Sequence, residues 1–207
     1  MFRDIVLPKN NETEFIVIAS KLGFKKLYFL YNFDEYNNEK KQIEIQSYKN
    51  HTNIEIETGF IVNQKNINKA IKQTKLLVVK SSDKDRFFIE SKKVRLIYGF
   101  EEVNRKDYFH QRASGLNHIL CEIAYKNNVA VGIDYSSLLN KSLSYSSLLM
   151  GRMMQNISLC QKYNVKTVIG SFAEKPFEMR SHYDIISLFT MFGMGGKNIK
   201  DSLNLNL

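Results

Sequence analysis

With 207 residues, 43% of them hydrophobic, the chain is long enough to bury a substantial core, and one domain spanning residues 1–207 with a short tail at 193–207 is expected. No apolar run approaches the roughly 20 residues of a bilayer span, and Met1-Phe2-Arg3-Asp4 puts an acid where a signal peptide wants a charge-free apolar stretch, so a soluble intracellular protein without a membrane partner is expected. The net charge of +9 points to an acidic partner such as nucleic acid. The abundance of Lys, Asn and Ile, which a genome rich in A and T also produces, weakens that signal, and the basic residues read as scattered.

Runs rich in Val, Ile, Tyr and Phe predict strands at Phe2–Leu7, Lys26–Tyr31, Asn53–Val62, Leu76–Lys80, Val94–Gly99, Val129–Asp134 and Val165–Ser171. The later ones are nearly continuous rather than alternating, as strands covered on both faces are. Helical spacing lies between them, at Glu12–Leu22, Asn66–Gln73, Asp83–Ser91, Ser114–Asn127, Ser144–Tyr163 and Pro176–Phe192, with a short helix-like Ile199–Leu203 in the tail. The polar stretch Asn32–Asn53 holds either a short strand at Gln42–Gln46 or an excursion. Repeated strand–helix alternation implies α/β architecture with right-handed crossovers. About seven strands favour a TIM-like (β/α) barrel over a doubly wound sheet. The latter wants a glycine-rich turn after its first strand, where Pro8-Lys-Asn-Asn-Glu12 stands.

Two predicted helices carry polar residues of interest. On Ser144–Tyr163, Tyr145, Leu149, Met153, Ile157 and Cys160 share an apolar arc, and Gly151, Gln155, Ser158 and Lys162 lie opposite. Arg152 and Asn156 fall at the border. Arg152 is either a covered, snorkelling arginine or one held to meet phosphate or a carboxylate. Met150, Met153 and Met154 read as core. Ser114 is a candidate N-cap for Ser114–Asn127, with Leu116, Ile119, Leu120 and Ile123 inward and His118 on the other side. Arg112, Ser114, His118 and the N–H groups of that turn form a candidate oxyanion site suited to phosphate.

Catalytic constellations are missing. The four histidines, His51, His110, His118 and His182, include no His-x-His pair. There is no phosphate-binding glycine loop and no nucleophile elbow. Cys121 and Cys160 sit in helix-like segments without metal-ligand spacing and read as buried thiols. Asp4 and Asp134 lie in or at the end of strands, which leaves a weak Mg²⁺ site open there. Independent catalysis is not expected.

Arg112-Ala-Ser-Gly-Leu-Asn-His118, Lys126-Asn-Asn-Val-Ala-Val-Gly132, Gly151-Arg-Met-Met-Gln-Asn156 and Gly170-Ser-Phe-Ala-Glu-Lys-Pro-Phe-Glu-Met-Arg180 occur in order, followed by Asp184-Ile-Ile-Ser-Leu188 and Gly193-Met194. Together they resemble ribonuclease P protein component 3, the barrel-type subunit of archaeal and eukaryotic nuclear ribonuclease P, over most of residues 105–195. The first half is similar in outline only, through Asp4-Ile-Val-Leu-Pro8. The resemblance implies a barrel of the polymerase-and-histidinol-phosphatase type without its metal ligands. It implies a subunit that assists 5′ maturation of precursor tRNA, in the cytoplasm of an archaeal-type cell or a eukaryotic nucleus. It also implies three partners: the catalytic RNA, which holds the Mg²⁺ and does the chemistry, protein component 2, and precursor tRNA. The chain itself would bind no cofactor. Candidate RNA or partner contacts are Arg112, Ser114, Asn117, His118, Arg152, Lys175 and Arg180. Arg180 could instead pair with Glu178 or Asp184. A stand-alone metal-dependent phosphoesterase and a generic RNA binder are the alternatives.

Overall fold

The computed structural model describes residues 2–36, 47–48, 52–103, 106–139 and 141–204. Among the described residues, seven strands form one all-parallel sheet in sequence order: β1 (Arg3–Val6), β2 (Lys26–Asn32), β3 (Glu55–Ile61), β4 (Leu77–Lys80), β5 (Leu96–Tyr98), β6 (Ala130–Asp134) and β7 (Thr167–Gly170). The chain leaving β7 returns to β1. Phe172 N donates to Ile5 O at 2.7 Å, Leu7 N donates to Ala173 O at 2.8 Å, and Val6 bridges Ala173 in parallel. The sheet is therefore a nearly closed barrel, the α/β architecture expected from the alternation. The possible strand at Gln42–Gln46 lies outside the described residues.

Alternation along each strand divides the core in two. Ile5, Tyr28, Leu30, Leu76, Val78, Leu96, Tyr98, Ala130, Val168 and Phe172 fill the barrel, and the remaining strand faces pack against the surrounding helices. Tyr98 stacks on Phe172 with centroids 4.2 Å apart and planes 7° from parallel. Gly132 makes room for that pair, because a Cβ there would lie 2.7 Å from Tyr98 Cβ and 3.2 Å from the Phe172 ring. At the strand starts the barrel is plugged by charge. Lys26 Nζ lies 2.7 Å from Glu55 and 2.8 Å from Glu57, and buried Arg3 donates to Tyr28 Oη at 3.3 Å.

The helices named among the described residues are α1 (Glu12–Lys21), α2 (Ile67–Ala70), α3 (Asp85–Ser91), α4 (His118–Asn127), α5 (Leu143–Lys162), α6 (His182–Met191) and α7 (Gly196–Asn204). Side-chain caps explain where three of them differ from the sequence expectation. Helix α4 starts four residues late because Asn117, not Ser114, accepts from a first-turn N–H, that of Leu120 at 2.9 Å. Ile119 then faces outward, 46% exposed. The single helix expected over Pro176–Phe192 is two elements, a 3₁₀ turn at Pro176–Glu178 and α6, which Ser181 caps by accepting from Asp184 N. On α5, capped by Ser142, Leu149, Met153, Ile157 and Cys160 are buried, while Tyr145 and the expected core residues Met150 and Met154 are exposed.

Candidate nucleic-acid interface

The loop between β5 and α4 runs along α5 and is fastened there by a buried arginine. Arg152 is 1% exposed. Its Nε and Nη2 each lie 2.9 Å from Asp107 Oδ1, and its Nη1 donates to Glu101 O at 3.0 Å and Val103 O at 2.8 Å. Burial pushes the Asp107 carboxyl up, but the Ala113 N–H and the Arg152 guanidinium outweigh that and hold it below the ordinary carboxylate range. Of the two readings open for Arg152, the buried geometry selects the carboxylate partner. Its guanidinium does not reach solvent, so any effect on a bound phosphate passes through the loop it holds.

The rest of the loop is fixed by α5 as well. Gln155 accepts from Arg112 N at 3.2 Å and donates from Nε2 to Arg112 O at 3.0 Å and Ser114 Oγ at 2.8 Å. Asn156 Nδ2 donates to Ser114 O at 3.0 Å. Ser114 is therefore buried beneath the loop. The Arg112 side chain, 51% exposed, lies flat on the helix with Nη1 3.8 Å from Asp107 Oδ2. Gly151, placed on the outer arc by its spacing, is buried under this arginine. A Cβ at Gly151 would come within 2.4 Å of the Arg112 guanidinium carbon. Asn117 and His118 are exposed at the start of α4. The structure thus brings Arg112, Ser114 and Arg152 together on α5, Arg112 exposed and the other two buried beneath it, while Asn117 and His118 follow at the start of α4, where Asn117 is the cap.

Lys175 and Arg180 sit on a separate turn after β7, where Lys175 is exposed and Arg180 half-buried. Arg180 pairs with neither Glu178 nor Asp184. Its Nη1 donates to Phe177 O and Met179 O, both at 2.8 Å, and its backbone N–H donates to Tyr135 Oη at 3.2 Å. Tyr135 in turn donates to Asp4 Oδ2 at 3.1 Å, and Asp4 Oδ1 accepts from Ser171 N at 2.6 Å and Ile5 N at 2.8 Å. The β1 aspartate therefore ties the closing seam of the barrel to the turn bearing Arg180.

The strand-end acids are bonded within the protein. Both oxygens of Asp4 are occupied by the donors just named, and burial pushes its carboxyl up to about 6. Asp134 accepts from Ser136 Oγ and Ser137 N, and burial raises it to about 7. Burial raises Glu101 to about 8, with Asp134 and Glu102 adding to the effect. Glu102 pairs with Lys80 at 2.7 Å. Among the described residues no three His, Cys, Asp or Glu side chains come together as a metal would need. Of the two positions left open for Mg²⁺, Asp4 thus has both carboxylate oxygens taken by N–H and O–H donors.

Two features escaped the sequence reading. One is the set of supporting residues, Asp107, Gln155 and Gly151, whose partners lie about forty positions away in the chain. The other is charge. Residues 63–95 hold ten of the thirty lysines and arginines and three of the twenty-one acids, so this stretch carries seven of the nine net charges. All ten are exposed. The basic residues are not scattered, and a running charge count would have found the block.

A family model described as RNase P subunit p30 matches residues 1–206. Ribonuclease P protein component 3 of Methanothermobacter thermautotrophicus is 24% identical over 195 residues, which cover 89% of this chain and 77% of that protein. The component 3 protein of Methanosarcina acetivorans is 35% identical over a shorter stretch of 83 residues, 40% of this chain and 35% of that one. Among solved structures, a chain of archaeal ribonuclease P with mature tRNA, determined by cryo-EM, superposes with a TM-score of 0.80. Its identity is 19%, over 97% of this chain and 87% of that chain.

Proposed function

This chain belongs to the RNase P subunit p30 family, and from that membership we propose that it assists a catalytic RNA, together with protein component 2, in removing the 5′ leader of precursor tRNA. The observation that carries this reading is the match along essentially the whole chain, residues 1–206. The geometry supports it. An accessory subunit needs cations held in place on its surface, and Arg112 on its glycine seat is one. Contacts of this kind position the RNA backbone without reading sequence. The exposed block at residues 63–95 supplies the longer-range attraction, which depends steeply on salt through counterion release. Phosphodiester hydrolysis, with Mg²⁺ held by the RNA, lies outside this chain, whose strand-end carboxyls are hydrogen-bonded or paired with lysine.

Reconstitution tests the proposal. Precursor-tRNA cleavage by the cognate catalytic RNA and component 2 at limiting Mg²⁺ is expected to rise when this protein is added. No change on addition rules the reading out, and hydrolysis of a phosphoester by the purified chain with Mn²⁺ would favour the phosphoesterase alternative.

Arg112 has its own test. Arg112→Ala is expected to lower the slope of log affinity against log salt by about 1, as for one lost phosphate contact. Gly151→Ala should weaken RNA binding similarly by lifting Arg112 from its seat, while leaving stability unchanged or up to about 1 kcal/mol higher through helix propensity. Full RNA affinity in both variants, with normal unfolding curves, would show that Arg112 does not touch the RNA.

A further inference from the structure

The loop that Arg152 fastens ends in an apolar tip that faces water. Tyr108 is 78% exposed and Phe109 95%. They sit on a tight turn closed by Tyr108 N donating to Gln111 O at 2.8 Å and Gln111 N donating to Tyr108 O at 3.3 Å. The His110 ring stands edge-on to Phe109 with centroids 4.7 Å apart. Both feet of the turn are held. Asp107 is bonded to Arg152 and to Ala113 N, and Arg112 to Gln155. Phe109 contributes nothing to the core, yet a buried guanidinium is committed to holding the turn that displays it. A shallow cleft of about 320 Å³ separates this turn from Gln155. Arg112 lines it, the exposed Lys106 precedes the turn in the chain, and the nearby acid, Asp107, is neutralised by Arg152.

We propose that the Tyr108–Phe109 tip is a stacking platform for an unpaired nucleobase of RNA, with Arg112 and Lys106 receiving the adjoining phosphates. Aromatic faces stack on any base, so such a platform binds single-stranded segments without sequence preference. The two cations next to the tip decide between this occupant and an apolar protein surface, because the phosphodiesters on either side of a stacked nucleotide each bring one negative charge to meet them. The inference rests on the RNA-binding reading above and deepens it. A base of the catalytic RNA and one of the precursor-tRNA leader offer the same chemistry, so the test has an arm for each.

The chain has no tryptophan, so Phe109→Trp places one reporter on the tip of the full-length protein. Its emission is expected to be quenched on titration with either the cognate catalytic RNA or a precursor tRNA, and the arm that quenches identifies the source. Phe109→Ala should weaken binding of that RNA roughly 5- to 100-fold at constant salt slope, the range seen for loss of one stacked base. Phe109→Leu, apolar but without a π face, should not restore it. Wild-type affinity in Phe109→Ala or Phe109→Leu overturns the proposal, as does unaltered Phe109→Trp emission at saturation with both RNAs. Loss of a protein partner from Phe109→Ala with RNA affinity intact overturns it in favour of a protein contact. Failure of the wild-type chain to bind either RNA removes the RNA-binding reading as well, whereas wild-type binding with an indifferent Phe109 removes this inference alone.

Discussion

Arg152→Ala is expected to lower the unfolding free energy by about 3–5 kcal/mol, the cost of truncating a large, fully buried side chain. The variant leaves Asp107 without its cation and leaves Glu101 O and Val103 O without their donor. It also opens a large void, since Arg152 is among the largest fully buried side chains in the protein. Urea unfolding at neutral pH measures the loss. A drop below 1 kcal/mol would mean that the loop from Phe100 to Ala113 is held by something else. Removing both partners, in Arg152→Met with Asp107→Asn, should cost less than the sum of the single changes, because neither group is then left buried and unpaired. RNA affinity should fall with the loop, even though Arg152 itself lies beneath the surface.

The second large effect is on pH dependence. Burial raises the Glu101 carboxyl to about 8 and the Asp134 carboxyl to about 7. A group whose folded pKa is raised binds its proton more tightly in the folded than in the unfolded chain. Its stabilisation is complete below the ordinary carboxyl value near 4.5 and is lost as pH climbs through about 8. Wild-type stability should therefore fall between about pH 5 and pH 9. Glu101→Gln, which keeps the shape and cannot ionise, should remove the largest single share of that fall, with Asp134 and Asp4 accounting for the rest. At 1.4 kcal/mol per unit, the gain at pH 9 is at most about 5 kcal/mol. Urea midpoints at pH 5 and pH 9 for the two proteins decide it, and parallel curves would show that Glu101 is not the group responsible. Asp134, Glu102 and Lys80 share this mouth of the barrel, and Asp134→Asn should flatten a comparable part of the profile.

The architecture was legible because it is written locally. Near-continuous runs such as Leu76–Lys80 and Val165–Ser171 announce strands covered on both faces, and the helical spacings between them leave a parallel sheet with crossovers. Local pattern failed where one hydrogen bond decides a boundary. Ser114 and Asn117 are both competent caps, and only the packing of Ser114 under Gln155 and Asn156 removes it from the contest. Ser181, rather than Pro176, starts the last long helix before the tail for a similar reason.

The candidate surface divides the same way. Arg112, Asn117, His118, Lys175 and Arg180 could be named from the sequence because they cluster in motifs that resemble one family. What each does could not be read. Arg152 and Arg112 are chemically identical, and one is buried while the other lies open, because Asp107 reaches the first and Gly151 gives a seat to the second. Residues 107 and 152 are joined across the packing of the β5–α4 loop on α5, a contact without sequence periodicity. The sequence alone determined the alternating strands and helices, the excess of positive charge and the kinship of the chain, since these depend on residue type and near neighbours. Tertiary structure alone decided which arginine meets solvent, which carboxyls lose their charge and where two aromatic rings are left facing water. Those outcomes depend on burial and on partners brought from distant positions.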